Sequence, residues 1–273
     1  MQFAVNWSPE AASLLDDGII QIDLFKCPDW DNLVADAKAQ HPSYIHFPLT
    51  IGTNQRPSWD FKAIHHWLAT TDTQFVNCHI TPNTAVFPSD ISHDDLMPSL
   101  IDDVQTLVNE FGKERVIIEN CPYFAGNVAD GYMQQGINPQ VFHDIITATG
   151  CGFLLDMAHV VLVTDFLGWS FEDIICALPV QHIREFHITG IGAWSTGVRG
   201  DHMPMEAVDW QRLDFCVEQF KAGVWRVPDV IAFEYGGIEM LKDLCGSDKH
   251  ALETQVPRLY QIAHDLSESS LRI

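Results

Sequence analysis

The chain has 273 residues, 47% of them hydrophobic and 19% charged, with 37 Asp and Glu against 15 Lys and Arg for a formal net charge of -22. That length suits one α/β barrel with a large core, and the charge works against attraction to phosphate backbones or anionic membrane surfaces, which makes nucleic acid and membrane disfavoured partners. No run of eighteen apolar residues and no basic-then-apolar leader at the first six positions occurs, and the seven cysteines contain no CxxC pair. A soluble, cytoplasmic protein without a disulfide framework or a thiolate zinc site is expected, as a single domain over residues 1–273.

Taken in chain order, runs rich in β-branched and aromatic residues fall at 3–7, 19–25, 44–48, 75–80, 115–120, 152–156, 183–189 and 229–235. Each is followed by a polar turn and a stretch with helical spacing, the mark of repeated βα units. Ser8-Pro9-Glu10 and Asn138-Pro139 are helix starts, with a capping side chain followed by Pro in the first turn. Gly112 and Gly150 follow apolar-periodic stretches and mark helix ends. The longest irregular piece spans 190–207. Eight strands close a barrel, so the fold class expected is α/β, a single (β/α)8 TIM barrel.

Polar residues then fall in a telling place. His46, His79, Glu119, Asp156, His187 and Glu234 stand at or near the C-terminal ends of six of these runs, and such ends converge on one rim of a parallel barrel. His159, three residues past Asp156, and His202, after the seventh run, are expected to join them from loops. Ile117-Ile118-Glu119, Leu154-Leu155-Asp156 and Ala232-Phe233-Glu234 place carboxylates directly after apolar strand residues, where burial is costly without a cation. Five imidazoles and three carboxylates suit Fe, Zn or Mn better than Ca or Mg. They exceed the needs of one ion, so two or three transition-metal ions are expected, with Glu119 and Glu234 as bridging and catalytic carboxylates.

The remaining histidines, including His65-His66 beside Trp67, read as surface or packing residues, and Cys78 and Cys121 as buried thiols. Trp194 and Tyr123-Phe124 fit either substrate stacking or the packing of a lid.

Val116-Ile117-Ile118-Glu119-Asn120, Leu155-Asp156-Met157-Ala158-His159, Phe186-His187-Ile188-Thr189 and Phe233-Glu234 resemble the ligand strands of the xylose isomerase-like TIM barrel superfamily, over most of the chain. The resemblance implies that Glu119, Asp156, His187 and Glu234 form the quartet that holds one ion in its isomerases and epimerases. His46 and His79 resemble the additional ligands of its multinuclear branches, endonuclease IV and the multinuclear non-heme iron-dependent oxidases that modify peptides. Thr149-Gly150-Cys151-Gly152 before Asp156, Leu167-Gly168-Trp169, and Arg184-Glu185-Phe186-His187 resemble the iron oxidases most closely. Those oxidases commonly have Asn at the position of His159, where endonuclease IV has His. Both branches place an Asp-x-His pair after strand seven, whereas Gly200-Asp201-His202 supplies the His and leaves open whether Asp201 is a ligand.

The first expectation is therefore a metal-dependent oxidase acting on a peptide or small molecule. Behind it, in order, stand a metal-dependent hydrolase or phosphoesterase, a sugar isomerase or epimerase, and a non-catalytic metal-binding barrel.

Overall fold

A computed structural model describes residues 1–236 and 245–270 of the chain. They group into two compact units, Met1–Ile45 with Arg184–Ile273, and His46–Ile183.

In the first unit, parallel strands follow the order β3 (Ser43–His46), β2 (Leu24–Pro28), β1 (Gln2–Asn6), β11 (Val230–Phe233) and β8 (Ile183–Ile188). α1 (Pro9–Asp16) starts as expected, with the Ser8 hydroxyl accepting from the Ala11 amide and Pro9 in the first turn. α2 (Asp31–Gln40), α9 (Ala207–Lys221) and α10 (Lys249–Ser270) complete the helices of this unit among the described residues. Alternate strand residues face the helices: Phe186 meets Phe220 of α9 at 5.4 Å, and Phe3 meets Tyr260 of α10 at 6.1 Å.

The opposite parity carries the polar residues. Ala4 pairs with Leu24 on one side and with Ala232 on the other, and Ala232 pairs with His187. Two residues further along each strand, the same rows place Lys26, Asn6 and Glu234 at one level. The small side chains of Ala4 and Ala232 thus lie one row beneath the charged ones.

In the second unit the order is β7 (Gly152–Asp156), β6 (Val116–Glu119), β5 (Val76–Ile80) and β4 (Thr50–Ile51), again parallel. Its helices are α3 (Phe61–Thr70), α4 (His93–Phe111), α5 (Ala125–Ala129), α6 (Pro139–Thr149), α7 (Met157–Leu167) and α8 (Phe171–Ala177). Asn138 caps α6 and Gly150 ends it in the left-handed region, as the sequence predicts. Gly112 ends α4 at a positive φ of 86°.

All eight expected runs contain strands, with four differences. The second begins at Leu24 rather than residue 19, because 19 and 23 are bends and 20–22 are irregular, and it continues through Lys26 and Cys27. A short strand, β4, was not foreseen. The stretch 190–207, expected to be irregular, contains an antiparallel hairpin of β9 (Gly190–Ala193) and β10 (Arg199–Met203). A Cβ at Gly190 would lie 2.0 Å from the Pro204 carbonyl oxygen, and one at Gly200 would lie 2.2 Å from the Trp194 ring, so both close approaches require glycine. Finally, His159 stands in the first turn of α7 and His202 on β10, and neither is in a loop.

Candidate metal centre

Within the 46–183 unit, strand register brings the expected residues together. His79 and Glu119 are direct partners across β5 and β6, so their side chains share a face. His79 Nε2 lies 3.1 Å from Glu119 Oε2, His46 Nε2 lies 3.5 Å from the same oxygen, and the two nitrogens are 3.4 Å apart. Ligands about 2.1 Å from a shared ion are separated by roughly 3.0 to 3.4 Å in octahedral or tetrahedral geometry, so this triangle has the size of a metal-binding face. Glu119 is 1% exposed.

Ring orientation is set by neighbours. His79 Nδ1 is 3.1 Å from the Leu49 carbonyl and His159 Nδ1 is 2.7 Å from the Asn120 carbonyl. A carbonyl can only accept, so each Nδ1 carries a proton, and in the neutral ring each Nε2 presents its lone pair. Asn77, unforeseen from sequence, donates toward His46 Nε2 at 3.1 Å while its own carbonyl accepts from the Phe47 amide. Burial opposes a charge on His79, but the Glu119 carboxylate outweighs it and raises the pKa.

Asp156, fully buried at the end of β7, also caps α7, since its Oδ1 accepts from the His159 amide at 2.8 Å. His159 Nε2 sits 3.6 Å from the other carboxylate oxygen. The Asn120 side chain clamps the Asp156 backbone through two bonds of 2.9 Å.

The other unit gathers His187, Glu234 and His202. His187 Nδ1 is 3.0 Å from Glu234 Oε1, the separation of adjacent ligands on one ion. Burial would raise the Glu234 pKa, yet His187, Lys26 and His202 hold it well below the usual carboxylate range. Lys26 forms a buried ion pair with Glu234, and Glu185 accepts from the Tyr44 hydroxyl at 2.7 Å with His187 Nε2 at the same distance. His202 has a positive φ of 59° and a buried Nδ1 with no hydrogen-bond partner among the described residues. A non-glycine residue in that conformation with an unsatisfied ring nitrogen fits a ligand position. Asp201 is buried beside it, and its backbone carbonyl accepts from the Trp194 indole at 2.9 Å.

Lys26, Glu185 and Tyr44 were missed by sequence reasoning. Lys26 lay just beyond the expected end of its strand, whereas Glu185, two residues before His187, was detectable by the two-residue strand period. Of the residues read as ordinary, His65 pairs with Glu110 on the surface and Cys78 and Cys121 are buried. Tyr123 packs against Ile137 and Val163 and borders a cavity of about 700 Å³ in the 46–183 unit, also lined by Tyr132, Met133, Gln134 and Trp169. No described helix is long and apolar enough to cross a membrane.

Several solved structures share the fold of the chain. A D-psicose 3-epimerase from Clostridium cellulolyticum H10, solved with D-tagatose, matches 97% of the chain and 99% of its own length at TM-score 0.58 and 10% identity. The IOLI protein with a bound zinc atom matches 98% and 96% at 0.55 and 14%. A xylose isomerase domain protein from Alicyclobacillus acidocaldarius subsp. acidocaldarius matches 97% and 99% at 0.54 and 14%. The fold is thus that of the xylose isomerase-like TIM barrels, as expected from the sequence. A comparison with curated proteins returns no match. The chain belongs to the family described as RiPP precursor modification enzyme MbnB/TglH/ChrH, whose model matches residues 30–227, and it is an enzyme of that family with candidate metal-binding groups.

Proposed function

We propose that the chain is a multinuclear non-heme iron oxidase acting on a precursor peptide, with His46, His79, Glu119, Asp156, His159, His187, His202 and Glu234 as its two- or three-ion ligand set. The observation that carries the reading is the triangle of His46, His79 and Glu119, which has ligand spacing and whose two imidazoles are surplus to a single-ion isomerase site. The family name supplies the peptide, and the cavity beside Tyr123 has the volume and aromatic lining that side chains of a peptide fill. Bound iron would supply open coordination positions and redox equivalents for oxidation of that peptide. Glu119 and Glu234 are the proposed catalytic carboxylates: each is buried, with an imidazole nitrogen 3.1 Å from Glu119 and 3.0 Å from Glu234. Seven free cysteines favour a reducing, cytoplasmic setting. We also propose that residues 1–273 act as one barrel domain, since the similar structures match over nearly their whole lengths.

Elemental analysis of protein purified without chelator or a histidine tag tests the reading. Two or more irons per chain are expected, with Glu119→Gln lowering the metal content and His65→Ala leaving it unchanged. Two or three zincs would move the function to hydrolysis, a branch that the presence of His159 favours, and one manganese would move it to isomerisation. Equal metal in Glu119→Gln and His65→Ala would remove the site assignment.

A further inference from the structure

His187 differs from His79 and His159 in the nitrogen it presents. His79 and His159 turn Nδ1 to backbone carbonyls and present Nε2, whereas His187 turns Nε2 to Glu185. We propose that Glu185, itself held by Tyr44, is a positioning residue that fixes the tautomer of His187 and makes Nδ1 its metal-binding atom. Metal binding by that atom rests on the proposed function, whereas the tautomer does not.

One oxygen joins the three side chains. Glu185 Oε1 is 2.7 Å from the Tyr44 hydroxyl and 2.7 Å from His187 Nε2. Tyr44 is buried, and its hydroxyl donates its proton to that oxygen. An oxygen that accepts from Tyr44 has no proton to give His187, so Nε2 must be the protonated nitrogen and the neutral ring presents Nδ1.

Strand geometry supports the same assignment. Glu185 and His187 are two residues apart on β8 and share a face, with Val230 and Ala232 as their partners on β11. Continuing that parity, Glu234 comes next, and His187 Nδ1 points to its Oε1 at 3.0 Å. Two electron-rich atoms at that distance call for a cation beside them: in the free protein the Lys26 ammonium pairs with the same Glu234 oxygen, and in the loaded one a metal would supply it. Glu185 is 3% exposed and His187 fully buried, so water is poorly placed to replace either partner. A carboxylate behind the ring also makes it a stronger donor than a carbonyl does, which sets His187 apart from His79 and His159.

Two measurements test this. Long-range 1H–15N correlation on chelator-treated, histidine-labelled protein at pH 9, with the His187 signals identified by their loss in His187→Gln, is expected to report the Nε2–H tautomer. Tyr44→Phe and Glu185→Gln should shift it toward a mixture. Cobalt(II) titration against a competing chelator should then show one site weakened about 10- to 100-fold in Glu185→Gln, with a smaller loss in Tyr44→Phe. An Nδ1–H tautomer in the unsubstituted protein overturns the proposal, as does an unchanged tautomer in both variants. If Glu185→Gln does not fold, Tyr44→Phe alone decides. Failure of the unsubstituted protein to take up cobalt while the Nε2–H tautomer persists would defeat the metal reading and leave the positioning role standing.

Discussion

Lys26 combines a full charge with almost complete burial. Its ammonium pairs with Glu234, and the two side chains are 7% and 6% exposed. Removing one member of a buried ion pair strands the other, at a cost of roughly 3 to 5 kcal/mol, whereas replacing both by apolar groups is often close to neutral. Lys26→Met should therefore destabilise the chelator-treated protein by several kcal/mol in urea unfolding, and Lys26→Met with Glu234→Met should recover most of the loss. A single-variant loss below about 1 kcal/mol would mean that the pair contributes little. Among single residues, the burial of Glu119, Asp156 and Glu234 was legible because each directly follows an apolar strand run, where a carboxylate is costly without a partner. Lys26 was not legible, since it falls one residue past the expected end of the run at 19–25, whereas the strand continues to Pro28.

Among the elements, the β9–β10 hairpin was least legible. Gly190, Gly192, Gly197 and Gly200 give 190–207 the composition of a loop, yet Gly190 and Gly192 lie close against Met203 and Pro204, and Gly200 makes room for the Trp194 ring. Gly190→Ala would drive a methyl into the Pro204 carbonyl, with a cost of roughly 1 to 3 kcal/mol expected from overpacking. Because His202 rides on β10, the same variant should weaken metal binding while leaving the tautomer of His187 intact, read by cobalt titration and by histidine correlation spectra. Unaltered melting and metal uptake would show that the hairpin does not constrain His202. α7 offers the opposite lesson. Asp156-Met157-Ala158-His159 has the spacing of an N-cap and the third helical residue, a signal present in the sequence but obscured by reading both residues only as ligands.

For the whole molecule, βα alternation carried the barrel expectation, and the family match over residues 30–227 adds what periodicity cannot, the chemical class of the substrate. Periodicity reports which faces are buried; it carries no information on what a rim is built to receive. The acidic balance of -22 makes metal loading a relief of repulsion as well as a gain of bonds. With free metal at 100 times its Kd, stabilisation of about 2.7 kcal/mol is expected, corresponding to a Tm rise of roughly 5 °C. Calorimetry of chelator-treated and reloaded protein measures it, and coincident melting curves would count against a site formed only in the folded chain.

Gly200 also bears on how this centre could change over evolutionary time. The Trp194 indole lies where a side chain at position 200 would begin, and its N–H is tied to the Asp201 carbonyl. A carboxylate two residues before His202 is therefore not one substitution away: Gly200→Asp alone would collide with the ring, and Trp194 would have to shrink first. The indole works as a ratchet, holding the chain in its present ligand inventory until a second, otherwise unprofitable change releases it.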